Sequence, residues 1–589
     1  MAPRSGSALR AERPLPASMT GGQAVWETLA RLGVTHAFGY PGGAILPTYD
    51  ALPGARLTHV LARHEQSAAH MADGFARATG RVGVAVATSG PGATNLVTGI
   101  ATAMADGSPI VCITGQVNSH LLGSDAFQEV DITGITMPIT KHNYLVTDSS
   151  RIAPCIWEAF RIAASGRPGP VLVDITRDAQ HAACTVDWDG LARQARAVQA
   201  LPAVDRASCQ AAVDAIAAAR RPIVLAGHGV LSSGASRLLR AFVDRTGIPV
   251  ATTLLGIGAV PGSHPLNLGL VGLHGHAVAN RAVQNADLVL ALGVRFGDRA
   301  TGDVNGFAPR ARRVHVEIDP AEINRTVRAD VAIVGDAGDV LRVLLPDVTA
   351  GDYAEWLAAI RAWRNRDSAR DILNLPADGR LHAAHVMHAL SRETRGRAVV
   401  VTDVGQHQMW EAQYYRHERP RSLITSGGLG TMGFALPAAI GARVARPDAE
   451  VWVVAGDGGF QMTAAELATV VQERLPLRIA VINNGYLGMV RQLQEVYCGK
   501  RYSATPLSGP DFCRLAEAYG IAAQRVESPA DVVPAIRTAR RHDGPILLEF
   551  RVEREDSVYP MVPAGATLDQ MRLQPLPGPR RVGDGPRGA

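Results

Sequence analysis

Two stretches in the last third of the chain carry oxygen ligands at a spacing that suits a metal-bound phosphate. VWVVAGDGG brings an apolar run to Asp457, flanked by Gly456, Gly458 and Gly459, and the run LRIAVI leads to Asn483 and Asn484. A helix over 464–474 is expected between them, so one strand-helix-strand unit separates Asp457 from Asn484, 27 positions on. A parallel sheet sets both strand ends on its carboxyl edge, where open α/β folds bind ligands. A carboxylate and an amide oxygen at that edge suit a hard cation such as Mg²⁺, and the glycines let a diphosphate approach the backbone. GDG alone is a common turn, with an ordinary glycine turn and an Asn cap as the competing reading. The spacing to Asn484 is what makes the pair specific.

Glu65, in RHEQSAAH, opens a predicted helix over 65–79. On its own it reads as an acid favoured by the helix dipole. The segment is not a zinc signature, because Ala68 stands where HExxH needs its second histidine. Gly428, Gly430 and Gly433 spell GxGxxG. A dinucleotide fingerprint is not expected there, since no clear strand runs straight into the glycines and the helix begins after them.

These residues need a frame, and from about residue 20 the sequence supplies the same one three times: a short β-branched run, a glycine-rich turn, then helical periodicity. The fold class is therefore α/β, with three doubly wound parallel-sheet domains. Strands are expected near 57–61, 82–88 and 109–114 in the first block, with helices at 65–79 and 92–105. The second block has strands near 222–226, 249–253, 287–292 and 313–318, and the third near 398–402, 451–455 and 477–482. Stretches 186–205 and 346–380 read as linkers. The resulting division is a disordered leader 1–18, domains 19–190, 191–365 and 366–574, and a disordered tail 575–589. No close internal repeat is visible, although the first and third blocks could share a fold.

Composition excludes several classes. With 589 residues, 47% hydrophobic and 19% charged, the chain has apolar surface for several cores and is neither disordered nor fibrous. The net charge of +5 is spread through the sequence with no basic stripe, so nucleic acid is not an expected partner. The six cysteines show no CxxC spacing, which argues against a disulfide framework or zinc site and for a reducing cytoplasm. No membrane span is expected.

The pairing of GDGG with NN resembles the thiamine diphosphate motif, and further stretches narrow it. GYPGGAILPTYDAL (39–52), RHEQSAAHMADGFARATG (63–80), TSGPGATNLVTGIA (88–101), DAFQEVD (125–131), SGRPGPVLVDI (165–175), VGQHQMW (404–410), ITSGGLGTMG (424–433) and VYPMVPAG (558–565) resemble the acetohydroxyacid (acetolactate) synthase catalytic subunit. The likeness runs from about 20 to 572. It implies a transferase that decarboxylates pyruvate and joins the two-carbon unit to a second 2-keto acid, with thiamine diphosphate, Mg²⁺ and FAD as cofactors.

Under this resemblance Glu65 contacts the aminopyrimidine and shares its proton, Met432 props the cofactor into a bent shape, and Gln406 and His407 bond the diphosphate. Pro41, Gly42, Gly430, Gly458 and Gly459 line the cofactor, while Asp457, Asn484 and the Tyr486 carbonyl hold the metal. FAD falls to Arg167, Gly272, His274, Gly275, Arg295 and Asp319, although related enzymes keep this middle domain without a flavin. Gln128 is the family's active-site glutamine and Arg299 holds the acceptor carboxylate. Gly43, Phe127, Arg177, Met489, Val490 and Leu493 shape the substrate pocket. A homodimer or homotetramer with the active site shared between subunits is implied, and a regulatory subunit is a further expected partner.

Four positions depart from the family pattern: Arg177, Leu493, Val271 and Gly297 stand where Lys, Trp, Met and Asp are usual. The family tryptophan favours an ethyl over a methyl group, so Leu493 is expected to weaken that preference. Two alternatives stay open, a related carboligase or decarboxylase with another acceptor, and a catalytically weak scaffold or regulatory paralogue.

Overall fold

The computed structural model describes residues 18–196, 204–376 and 378–574. The expected tail and all but Ser18 of the expected leader lie outside them, as do residues 197–203 of the 186–205 stretch.

Uninterrupted apolar runs such as Gly83–Ala87 and Leu288–Leu292 are buried along their whole length, as strands covered on both faces must be. They assemble into three six-stranded sheets in which every neighbouring pair is parallel. Counting each sheet's strands in chain order, the first sheet (His36–Gly39 to Val171–Thr176) and the third (Val399–Thr402 to Ile546–Arg551) share the order 2-1-3-4-6-5. The shared fold left open by the sequence is therefore present. The middle sheet (Pro222–Ala226 to Val331–Val334) has the order 3-2-1-4-5-6, that of dinucleotide-binding folds. An antiparallel ribbon pairs Met19–Thr20 with Ala183–Cys184.

Three sequence expectations change. The helix after the third sheet's glycine turn starts at Asp457 rather than 464: Asp457–Thr463 is followed by a 3-10 turn and by Leu467–Gln472. The supposed linker 346–380 contains helix Ala354–Ser368, which spans the expected boundary at 365. Its Trp356 and Ile360 are buried in the middle core, and Trp356 Nε1 donates to Pro222 O at 3.0 Å. Arginines scattered in sequence (Arg392, Arg395, Arg397, Arg419, Arg446 and Arg540) converge with Glu393, Asp448 and Glu450 on a cleft of about 620 Å³, beside the amino ends of strands Val399–Thr402 and Val451–Gly456. Among the described residues, all six cysteines are free and no helix is long and apolar enough to cross a membrane.

The first and third domains meet through one helix pair. Helix Glu65–Thr79 begins behind His64, whose side chain accepts from Gln66 N, and stops at Gly80 in the left-handed conformation. It packs against helix Ala435–Ala445, Gly74 facing Ala438 and Gly441 facing Met71, so the two helices run antiparallel. A Cβ on Gly74 would lie 2.0 Å from Ala438 O, and one on Gly441 1.9 Å from Met71 O. Inside a helix, Ala ordinarily gains about 0.5–1 kcal/mol over Gly, whereas overfilling a packed contact costs about 1–3 kcal/mol. Backbone on both sides cannot swing aside, so the second effect wins. Gly74→Ala is expected to lower unfolding stability by about 1–3 kcal/mol, measurable by urea denaturation; a stabilised variant would contradict this packing.

Candidate active site

The third sheet reverses its winding between strands Val399–Thr402 and Val451–Gly456, and ligands collect at such a reversal. Asp403, Gln406 and His407 follow the first strand, and Gly456 and Asp457 close the second. Asp457 is buried, and its Oδ2 accepts from Gly485 N at 3.1 Å. Burial pushes its carboxyl up to about 6, against amide hydrogen bonds that lower it. Among the described residues it has no salt-bridge partner, so the donor set fits a hard cation: an uncompensated buried carboxylate with amide and carbonyl oxygens beside it.

Asn483 and Asn484 divide their tasks. Asn483 turns inward, its Nδ2 donating to Glu549 Oε1 at 2.7 Å. Asn484 turns to the sheet edge, where its Nδ2 donates to Gln406 Oε1 at 3.3 Å and its Oδ1 accepts from Tyr486 N at 3.0 Å. Gln406 is fixed from behind, its Nε2 donating to Gln492 Oε1 and Asp556 O, each at 3.0 Å. Gly456 N donates to His407 Nε2 at 3.2 Å, and burial pulls this imidazole down to about 4, so it is neutral at physiological pH. Met432 approaches the same turn: its Cε is 3.6 Å from the point a Cβ on Gly458 would occupy.

Residues without a sequence signal hold this group together. Asp403 is buried, and its carboxylate accepts from Val404 N (2.9 Å), Gly433 N (3.0 and 3.1 Å) and Ala435 N (3.1 Å). A Cβ on Gly459 would be 2.3 Å from Asp403 Oδ1, so one side chain ties the Met432 loop to the glycine turn. From the first domain, Asp106 accepts from Gly427 N and Gly428 N at 3.0 and 2.6 Å, and Thr102 Oγ1 lies 2.7 Å from Thr431 Oγ1. A three-residue strand, Leu423–Thr425, also precedes these glycines, where the sequence showed no clear strand.

The first domain holds a second group. Glu65 is half-buried; its Oε2 accepts from Asn95 Nδ2 at 2.9 Å, and its Oε1 faces Gly92. Gln128, with φ of 60°, lies against Gly90. At that sheet's own reversal, a Cβ on Gly42 would be 2.4 Å from Thr88, and Ala44 N donates to Thr88 Oγ1. The antiparallel helix pair keeps the two groups apart. At 1.5 Å per residue, the starts of helices Glu65–Thr79 and Ala435–Ala445 lie roughly 18 Å apart along their axes. One chain thus does not join Glu65 to Met432 and Asp457.

The remaining positions fall into three places. Arg167, Arg295 and Asp319 gather at the carboxyl edge of the middle sheet, where burial and the nearby Arg295 pull the Arg167 guanidinium below its ordinary value, with Glu322 3.3 Å away. Two guanidiniums at a dinucleotide-type reversal fit a phosphate-bearing ligand. Gly272, His274 and Gly275 form a tight turn against Arg299: Leu273 N donates to Arg299 O at 2.8 Å, and His274 Nδ1 lies 3.2 Å from Pro560 O. The Arg299 side chain itself is 77% exposed. Met489, Val490 and Leu493 share helix Gly488–Tyr497, Leu493 being 38% exposed, while Phe127 is 87% exposed and Arg177 is exposed. Val271 is buried in the middle core.

Comparison with known proteins agrees with this layout. Residues 19–135 match the thiamine pyrophosphate enzyme N-terminal TPP binding domain, 209–344 the central domain and 403–550 the C-terminal TPP binding domain. The chain is 48% identical over 565 residues to the acetolactate synthase of Mycobacterium bovis, covering 94% of this chain and 91% of that one. It is 47% identical over 572 residues to the acetolactate synthase large subunit of Corynebacterium glutamicum (95% and 91%). To the acetolactate synthase isozyme 2 large subunit of Escherichia coli it is 45% identical over 558 residues (94% and 99%). The chain belongs to the acetolactate synthase large-subunit family of thiamine pyrophosphate enzymes. It is accordingly an enzyme, a thiamine pyrophosphate-dependent transferase.

Beside Gln406 and Asn484, Gly488 was not legible from the sequence. A Cβ there would lie 2.2 Å from Gln406 Oε1 and 2.7 Å from Asn484 Nδ2. Both contacts are side-chain atoms rather than backbone, so Gly488→Ala is expected to fold yet, by displacing the Gln406 carboxamide from its two partners, to bind thiamine diphosphate at least tenfold more weakly by calorimetry. Wild-type affinity would show that Gln406 is not aimed at the ligand.

Proposed function

We propose that the protein is a thiamine diphosphate- and Mg²⁺-dependent acetolactate synthase, which removes CO₂ from pyruvate and joins the two-carbon unit to a second 2-keto acid, giving a 2-hydroxy-3-keto acid. The observation that carries this reading is the buried, unpaired carboxylate of Asp457, set in a glycine turn between Met432 and the Asn484–Gln406 pair.

Asp457, Asn484 and the Tyr486 carbonyl would hold Mg²⁺, with Gln406, His407, Gly430, Gly458 and Gly459 around the diphosphate. Pro41, Gly42 and Glu65 serve the aminopyrimidine end, and Met432 sets the bend. Bound thiamine diphosphate would supply the electron sink for loss of CO₂. Asn95 engages Glu65 Oε2 and leaves Oε1 on the small face of Gly92, the oxygen that would meet the aminopyrimidine. Gln128 stands beside this face. Arg299, exposed beside Asp298, presents a planar fork suited to a carboxylate, and Gly43, Phe127, Arg177, Met489, Val490 and Leu493 bound the acceptor. FAD is assigned to Arg167, Gly272, His274, Gly275, Arg295 and Asp319.

The separation of Glu65 from Met432 within one chain supports a homodimer, whose two sites each take a half from either subunit; a tetramer would pair such dimers. The exposed Tyr40, Leu46, Phe127 and Leu429 adjoin the two half-sites, as surfaces covered by a second copy would. The relatives' designation as large subunits supports a regulatory small subunit as a further partner, and free cysteines throughout the described residues are compatible with a cytoplasmic setting.

Mixing tests the shared site. Glu65→Gln is expected to bind thiamine diphosphate but lose most turnover, because an amide cannot share the proton, and Asp457→Ala to lose Mg²⁺ and cofactor affinity first. Co-assembled, the two inactive chains should regain CO₂ release from pyruvate. No recovery despite demonstrated subunit exchange would point to sites built within one chain.

Acceptor choice is the open edge, and a carboligase for another acceptor is the second reading, favoured by Leu493. One methylene in an apolar pocket is worth about 1–3 kcal/mol, so the wild type should show little preference for 2-oxobutyrate over pyruvate. Leu493→Trp should raise the 2-oxobutyrate share of product in competition. A strong wild-type preference, or an unchanged ratio with normal cofactor binding in the variant, would refute the pocket assignment.

A further inference from the structure

We propose that His382 is a positioning residue for the cofactor site, acting through Asp556 on Gln406; this rests on the reading above that Gln406 and Asn484 face the diphosphate and metal. His382 caps helix Ala383–Thr394 and is buried. Its ring is held at both nitrogens, Nδ1 2.8 Å from Asp556 Oδ2 and Nε2 3.1 Å from Asp378 Oδ1. Burial opposes charge on the ring, but the two carboxylates outweigh it and hold the imidazole above its ordinary range. A protonated ring donates from both nitrogens, which is what two flanking acceptors require.

Asp556 lies in the irregular segment after strand Ile546–Arg551, where no ladder fixes the backbone. Among the described residues, His382 is its side chain's hydrogen-bond partner. Its backbone carbonyl accepts from Gln406 Nε2 at 3.0 Å. Two residues on, Val558 exchanges hydrogen bonds with Gln492 (N to Oε1 at 2.8 Å, Nε2 to O at 3.0 Å), and Gln492 Oε1 also accepts from Gln406. With Gln406 Nε2 spent on these two acceptors, its Oε1 is left pointing at Asn484 Nδ2.

A purely structural clamp is already present without His382. Arg380 bridges Asp378 and Glu553, and Glu553 N donates to Leu381 O at 2.7 Å, so the 378–382 loop is fastened to the segment independently. What the imidazole adds is a hold on Asp556, the residue whose carbonyl aims Gln406.

The two ring nitrogens allow a discriminating test in the full-length protein, by calorimetric titration of thiamine diphosphate at fixed Mg²⁺ alongside thermal melting of the cofactor-free protein. An Asn amide superposes on Nδ1 and can reach Asp556, whereas a Gln amide reaches toward Nε2 and Asp378. His382→Ala is expected to weaken binding about tenfold, His382→Asn to recover most of that loss, and His382→Gln little of it. In a Gln406→Ala background the effect of His382→Ala should disappear, since coupled residues are not additive. Wild-type affinity in His382→Ala, equal losses in the Asn and Gln variants with a lowered melting temperature, or full additivity with Gln406→Ala would each overturn the proposal. If Gln406→Ala and Asp457→Ala also leave binding unchanged, the site reading itself fails. If they weaken binding while His382→Ala does not, only this inference fails.

Discussion

The contact on which the architecture turns is backbone against glycine: Gly74 on the Ala438 carbonyl and Gly441 on that of Met71. With no side chain on either, helices Glu65–Thr79 and Ala435–Ala445 approach until their main chains touch, and that closeness fixes how the first and third domains sit. It also fixes their sense. Because the helices are antiparallel, Glu65 and the Met432 loop are carried to opposite ends of the seam. The same contact that joins the two domains therefore holds Glu65 away from Met432.

Within each half, chemistry follows topology. Parallel strands deliver their carboxyl ends to one edge, and the reversal in strand order opens a gap there. In the third sheet that gap receives Asp457, Gln406 and His407; in the first it receives Pro41 to Gly43. Burial then gives the oxygens their character. Asp457, removed from water and lacking a basic partner, prefers a proton or a cation, whereas His407, buried beside a backbone amide, stays neutral and accepts.

How far the sequence spoke depended on the range of the interaction. Helix 65–79 and strand 222–226 were legible to the residue, because apolar periodicity and glycine stops are local signals. Asp457 and Asn484 were legible because one strand-helix-strand unit sets their spacing. Asp403 was not: it reads as one acid after a strand, and its worth lies in amides 30 and 32 positions away. Gly488 was equally silent, since its smallness matters most to Gln406, far off in sequence. The helix start at Asp457 was missed because glycines argue for a turn, although Gly458 and Gly459 sit inside a helix where larger residues would strike Leu487 and Asp403. Trp356 hid in a stretch whose irregular pattern suggested a linker.

The grip of Asp106 and Thr102 on the loop 427–431 has a thermodynamic corollary. The loop that carries Met432 belongs to the third domain, yet two of its amides, Gly427 N and Gly428 N, are satisfied by the first. Ordering of the loop and docking of the domains are therefore one linked equilibrium, and linkage is reciprocal. A ligand that settles the loop must strengthen the seam by the same free energy that the seam contributes to the ligand's affinity. Cofactor occupancy would then be readable at a distance, as slower amide exchange along helices Glu65–Thr79 and Ala435–Ala445, neither of which belongs to the glycine turn at Asp457.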